Sequence, residues 1–303
     1  MTAKPVRGTQ TIVGQMGWVF TRPSLTALEV LWRWVFGIPM LVVCYVQVEK
    51  LFALLPPDAT GLSDFDITNP WISSVKVAVA WDMYRPHVVH LLQWLAPLAA
   101  LAWVVISGVG RNLVLKRMER GLPFRPAAMT VLQAVWLAVL ALTGYAWWKS
   151  IGWAAASHIR NGANPDLVGY FVWAIFLTLG FFSLWALMSW WVAIAPMLLL
   201  LERRSILGSL RESFRLGRPF TSKLIEINMV MGIVKLCLLV LAMVFSAVML
   251  PFANQVGLDT LHEEWFLVSV FYFIASDYFH VARLKGFVEF WRIFRESPPA
   301  AES

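Results

Sequence analysis

Six stretches of this chain stay apolar for about 20 residues, the length that carries a helix across roughly 30 Å of hydrocarbon. They lie at 26–50, 88–109, 128–148, 168–201, 224–250 and 265–282. They predict an all-α, polytopic transmembrane bundle of six spans. Composition supports that reading, since 59% of the residues are hydrophobic and 14% are charged, against about 45–50% and 25% in a soluble domain. An ordinary soluble domain, a disordered chain and a nucleic-acid-binding module are all excluded. The first and fourth stretches are longer than a bilayer is thick and carry Pro39 and Pro196, which predicts tilting, projection or bending there.

Lys and Arg in short loops remain on the cytoplasmic side. Eighteen of them fall in the N-terminal segment, the second-to-third and fourth-to-fifth connections and the tail, and five fall on the opposite side. That opposite side collects Asp58, Asp64, Asp66, Asp82, Asp166, Asp259, Glu263 and Glu264. The asymmetry predicts a multi-pass protein of the cytoplasmic (inner) membrane with both termini inside. The net charge of +7 is mostly this topology signal. Residues 1–23 lack a signal-peptide pattern, so the first stretch is expected to be an uncleaved span. The outer segment 51–87 is too short for a catalytic domain, and a short helix is expected around 71–84. Its Trp71 and Trp81 suit a membrane interface.

An Arg-Pro pair stands at the cytoplasmic entrance of each odd-numbered span: Arg22-Pro23, Arg125-Pro126 and Arg218-Pro219. Each follows a segment of helical apolar spacing, expected to be an amphipathic interfacial helix. The apolar faces are Ile12, Val13, Met16, Val19 and Phe20; Leu113, Val114 and Met118; and Ile206, Leu207, Leu210 and Phe214. Six or seven residues after each proline comes Glu29, Gln133 or Glu226. The pattern reads as one integral domain of three helical-hairpin repeats, 1–110, 111–202 and 203–303. The positive-inside rule and the suitability of proline for a first helical turn explain the same pattern without repetition.

The most specific local signal is WVAIAPMLLLLERRSILGSLRESFRLGR, Trp191 to Arg218. An apolar span ending in Ala195-Pro196 runs into Glu202, then a small-residue amphipathic turn with Ser209, and closes on Ser213-Phe214-Arg215-Leu216. This stretch resembles a group of prokaryotic six-span integral membrane proteins related to the membrane domain of glycerophosphodiester phosphodiesterases. The catalytic barrel of those enzymes needs a couple of hundred further residues, which do not follow Ser303, so the resemblance implies a membrane module without hydrolase activity. Taken from the residues themselves, Glu202 is placed to pair with Arg203, Arg204 or a basic residue one turn on, making a fixed elbow. The cluster Arg203, Arg204, Arg211, Arg215 and Arg218 is the candidate for anionic lipid headgroups, each charge contributing about 1 kcal/mol near an anionic leaflet.

Ionisable groups inside spans are costly and mark function by default. Lys235 lies well inside the fifth span; Asp277 lies near the cytoplasmic end of the sixth, with His280 one turn below it. Asp277 is expected to face Lys235 or a neighbouring Arg, either as a structural ion pair or as a relay with His280. Glu29 and Arg33, four residues apart, are expected to pair on one helical face and anchor the first span. Outside, Asp82, His87 and His90 are weak metal candidates by spacing, and polar capping accounts for them equally. The His262-Glu263-Glu264 run lacks the second His of a zinc-protease helix, because residue 266 is Phe. With no nucleophile elbow, phosphate loop or Cys-x-x-Cys pair, no enzyme activity, cofactor or nucleic-acid partner is expected.

These observations favour a non-enzymatic membrane module binding lipids, notably anionic headgroups, or a membrane-protein partner through its basic elbows. A transporter or lipid-handling permease using Lys235 and Asp277 is the alternative. An intramembrane enzyme using Asp277 and His280 has the least support.

Overall fold

A backbone surrounded by hydrocarbon can satisfy its N–H and C=O groups only internally, and a helix does so within one segment. The computed structural model of the chain describes residues 8–61, 70–160, 166–215, 218–247 and 258–296. Every regular element among them is helical: α1 (Gly8–Phe20), α2 (Pro23–Leu54), the short α3 (Pro57–Thr60), α4 (Pro70–Met118), α5 (Pro126–Ala155) passing into a π-helical turn (Ala156–Arg160), α6 (Leu167–Leu201), α7 (Ile206–Phe214), α8 (Arg218–Ala247) and α9 (Leu258–Glu296). Six segments are long and apolar enough to span: Pro23–Leu54, Val79–Met118, Pro126–Ile159, Leu167–Leu201, Ile225–Phe245 and Trp265–Ile293. The chain is a multi-pass integral membrane protein. The prolines of the three Arg-Pro pairs open their helices: Pro23 and Pro126 are the first residues of α2 and α5, and Pro219 is the second of α8. There the missing N–H costs no hydrogen bond.

Two sequence expectations change. The helix expected around 71–84 and the interfacial helix expected before Arg125 are the two ends of α4, a single helix of 49 residues. Pro86 and Pro97 lie inside it, and neighbouring packing in a membrane tolerates such interruptions. Likewise the helix that carries the sixth span does not end near 282 but continues to Glu296. The reason is packing, since Leu284, Phe287, Val288 and Trp291 recur at helical spacing and are all buried. The Arg283–Arg295 stretch is therefore the last part of a rod and not a loose tail. Lys4 and Arg7 lie outside the described residues, as do Asp64, Asp66 and Leu216.

The chain divides into two compact units, one formed by Met1–Leu31 with Gly108–Ser303 and the other by Trp32–Ser107. In the second unit, α2 and α4 are tied at two levels. Trp32 and Phe36 pack on Trp103 with ring centroids 5.9 and 5.1 Å apart, and the Tyr84 hydroxyl donates to the Leu55 carbonyl at 2.7 Å beside Phe52.

The core of the first unit lies toward the basic ends of its helices. Val19 of α1 and Leu25 of α2 pack there with Met118, Leu198, Ile227, Met231, Val281 and Val288. A neighbouring cluster joins Leu115, Met129, Leu132, Ala195, Leu199 and Leu200. Gly108 of α4 permits this approach, because a Cβ there would meet Thr130 Oγ1 at 2.4 Å and Thr130 Cα at 2.6 Å. Farther out, the hairpins are held more sparsely. Trp136 Nε1 donates to Ser189 Oγ at 2.9 Å and Trp147 Nε1 to Thr178 Oγ1 at 3.0 Å. Beside them open clefts of about 180 Å³ between α5 and α6 and about 260 Å³ between α8 and α9.

At the start of α6, Asp166 caps the helix by accepting from the Gly169 N–H at 2.9 Å and lies 3.2 Å from His158 Nδ1. The Gly169 bond first, and His158 after it, hold the Asp166 carboxyl below its usual range. A carboxyl depressed in the folded state contributes stability above its unfolded value, about 3.9, and loses it as the pH falls through the folded one.

Two outcomes are expected in thermal unfolding of the full chain in lipid nanodiscs. Gly108→Val should lower the midpoint through a loss of about 1–3 kcal/mol, since α4 and α5 must part. Asp166→Asn should lower it slightly near neutrality, the effect being screened by solvent, and the difference from the parent should shrink below about pH 4.

Candidate functional site

Two arrangements carry chemistry, and both belong to the packed, basic end of the first unit. One is the elbow between α6 and α7. Its turn is made by Arg203, the only non-glycine residue at positive φ (54°) among the described residues. Such a conformation costs about 1–3 kcal/mol and needs outside support. Arg125 supplies it from the start of α5, donating to the carbonyls of Arg203 at 3.5 Å and Arg204 at 3.2 Å. Arg204 closes the elbow, with Nε on the largely buried Glu202 carboxylate and its other arm 3.2 Å from Glu212 Oε2. Glu202 accordingly pushes Arg204 further above its already high protonation range. Ser205 caps α7 by accepting from the Gly208 N–H at 3.1 Å.

The five candidate headgroup arginines thus divide. Arg204 is occupied by two carboxylates, while Arg203, Arg211 and Arg215 are exposed. The side chain of Arg218 lies outside the described residues. The apolar stripe expected on α7 also splits. Ile206 and Leu210 lean on the core, but the side pressed into the protein is completed by the buried Ser209 and Ser213. Their hydroxyls donate back to the Ile206 and Leu210 carbonyls at 2.8 and 2.7 Å, so small side chains bring α7 close without stranding a polar group. Leu207 and Phe214 remain 80% and 54% exposed; Phe214 rests on Trp191 with centroids 5.0 Å apart.

The second arrangement is a set of ionisable groups inside the bundle. Asp277 and His280 on α9 are each 4% exposed, and Lys235 on α8 is half-buried. Facing His280 is Glu29 of α2, fully buried, with Oε1 3.6 Å from His280 Nε2. From the next turn of α9, Arg283 reaches His280 Nδ1 at 2.8 Å. A guanidinium can only donate, so Nδ1 accepts and the imidazole proton is on Nε2, toward Glu29. Lys285, counted by sequence as a topology charge, is buried too. It bonds Glu289 at 3.3 Å and lies 4.7 Å from the centre of the Trp18 ring.

Sequence reasoning placed Glu29 in an anchoring role and did not connect it to His280. The available signal was that Leu25, Glu29 and Trp32 recur at i, i+4 and i+7, which puts the carboxylate on an apolar face. Asp82, His87 and His90 are all exposed on α4, and among the described residues no three His, Cys, Asp or Glu side chains converge as metal ligands. Comparison of the chain with protein-family models, curated proteins and solved structures gives no match.

The elbow geometry separates structural from surface arginines. Arg204→Met should lower the thermal midpoint of the full chain and increase protease cleavage between α6 and α7. Arg211→Gln and Arg215→Gln, which change exposed side chains, should leave both measurements near parental values.

Proposed function

We propose that this protein is a non-enzymatic membrane module that engages anionic lipid headgroups through the α6–α7 elbow, on the cytoplasmic side of the inner membrane. The observation that carries the reading is the outward side of α7. Two large apolar side chains, Leu207 and Phe214, stand exposed on the same nine-residue helix as Arg211, next to the exposed Arg215. In water that surface has no purpose. At a bilayer boundary the apolar pair enters the acyl edge while the guanidiniums meet phosphate. Arg203 adds a third free charge, and the pinned Arg204 keeps the others at a fixed spacing.

The eighteen-to-five distribution of Lys and Arg supports placing both termini and the elbow inside the cell. On this reading α1 and α7 are the interfacial helices. The reading agrees with the resemblance of Trp191–Arg218 to the membrane domain that accompanies glycerophosphodiester phosphodiesterases. A permease is less well supported: the clefts between α5 and α6 and between α8 and α9 are lined almost wholly by apolar and aromatic side chains, and neither is lined by Lys235, Asp277 or His280.

Native mass spectrometry of the full chain titrated with phosphatidylglycerol tests the proposal. Each of Arg203→Gln, Arg211→Gln and Arg215→Gln should weaken retention about fivefold, from about 1 kcal/mol per charge, and the triple variant should show a flattened salt dependence. Unchanged retention by the triple variant overturns it. A cysteine placed by Leu207→Cys, with Cys44 and Cys237 replaced by Ser, should react with an impermeant thiol reagent only from the cytoplasmic side.

A further inference from the structure

The elbow leaves the buried array on α2 and α9 without a role. Contacts already described give its depth in the bundle. Gly286 of α9 faces Ile227 of α8, since a Cβ there would lie 3.9 Å from Ile227 Cδ1. The two helices run in opposite directions, so eight residues outward on one and nine on the other bring Lys235 and Asp277 to about the same level. Glu29 meets His280 one turn further in. The ion pair between Glu119 and Arg292 sets α4 beside α9 at the inner end, and seven or eight residues back from each places Arg111 level with Leu284. Glu29, Arg111, Lys235, Asp277, His280 and Arg283 therefore share a layer about 12 Å deep.

That layer also contains oxygen atoms with nothing to bond. Thr26 Oγ1, three residues from Glu29, and Gln15 Oε1, next to the Met16 carbonyl that accepts from the Tyr278 hydroxyl at 2.8 Å, are buried without a hydrogen-bond partner. Both side-chain polar atoms of the fully buried Asn112 are in the same condition. Leaving such groups dry costs about 1–3 kcal/mol each, whereas water entering from the adjacent inner surface satisfies them.

We propose that Glu29, His280 and Arg283 form a proton-binding site inside the spanning bundle, where proton uptake makes His280 exchange one charged partner for another. In the arrangement seen, His280 is neutral: Nδ1 accepts from Arg283, and the Nε2 proton faces Glu29 across a gap too long for a hydrogen bond. A hydronium reaching the layer gives its proton to Nδ1 and becomes water. Nδ1 then carries a hydrogen and can no longer accept, so the Arg283 guanidinium is released. The new imidazolium attracts the Glu29 carboxylate, and Nε2 closes on it. The charged groups around this exchange are Glu29 on α2, Asp277 and Arg283 on α9, Lys235 and the partly buried Glu226 on α8 and Arg111 on α4. Between them α1 and the inner end of α6, Trp191–Leu201, contribute no ionisable side chain. Three carboxylates and three cations keep these surroundings near balance, so a single proton decides which partner His280 holds.

The test is the thermal midpoint of the full chain between about pH 5 and 8, where imidazole titrates, in nanodiscs of phosphatidylcholine alone so that headgroup binding at the elbow does not contribute. The parent should show a one-proton step, and His280→Gln should remove it although His87, His90, His158 and His262 remain. Glu29→Gln should move the step down and Arg283→Met should move it up, each by about 1 pH unit. Those two variants decide the matter if His280→Gln does not fold. A flat parental profile, a step that survives intact in His280→Gln, or a step that Glu29→Gln and Arg283→Met leave in place or move the same way overturns the proposal. A midpoint lowered equally at every pH by His280→Gln, with the step retained, identifies the array as a strut.

Discussion

Hydrocarbon offers no hydrogen bonds, and that deficiency organises this protein at every level. It requires the backbone to pair within itself, which turns each long apolar run into a helix and lets α4 continue through two prolines for lack of any competing conformation. It also governs the polar side chains. The indoles of Trp136 and Trp147 find hydroxyls on the facing helix, and Ser209 and Ser213 return their protons to the preceding turn of their own helix. Charges follow the same rule more strictly: Arg204 lies between two carboxylates, and Lys285 is shared by Glu289 and the Trp18 ring.

A second consequence is the uneven distribution of packing along the first unit. Lipid covers apolar side chains as readily as protein does, so nothing forces α5, α6, α8 and α9 to close away from their basic ends, and apolar clefts remain between them. Near the basic end, α1 and α7 join the spans and a true core forms. Close packing there makes both the elbow and the Glu29–His280 contact possible, because a fixed side-chain geometry needs neighbours that do not yield. The chemistry of the molecule is concentrated where its interior is densest.

Legibility in the sequence followed the range of the interactions concerned. The six spans, the Arg-Pro helix starts and the polar elbow after Glu202 depend on residues near one another in the chain, and all could be read from spacing. Local reasoning failed where a distant partner decided the outcome. Glu29 was read with Arg33 because four residues separate them, and spacing gave no sign that its carboxylate also faces His280 on the last helix. The α7 stripe was read as one apolar face, but the helix turns Ser209 and Ser213 inward because only small side chains allow it so near α6. Arg283 and Lys285 were read as topology charges, since nothing near them reveals that α9 continues and that α1 covers it.

By itself the sequence determined that the chain is a six-span helical membrane protein, because the length and polarity of a segment settle its partition into lipid irrespective of what surrounds it. It also determined which connections are basic. Tertiary structure alone decided which ionisable groups meet, which of the elbow arginines remain free and which polar atoms are sealed inside, because these depend on how separately stable rods are juxtaposed. Partition is a property of each segment, whereas juxtaposition is a property of the packed whole.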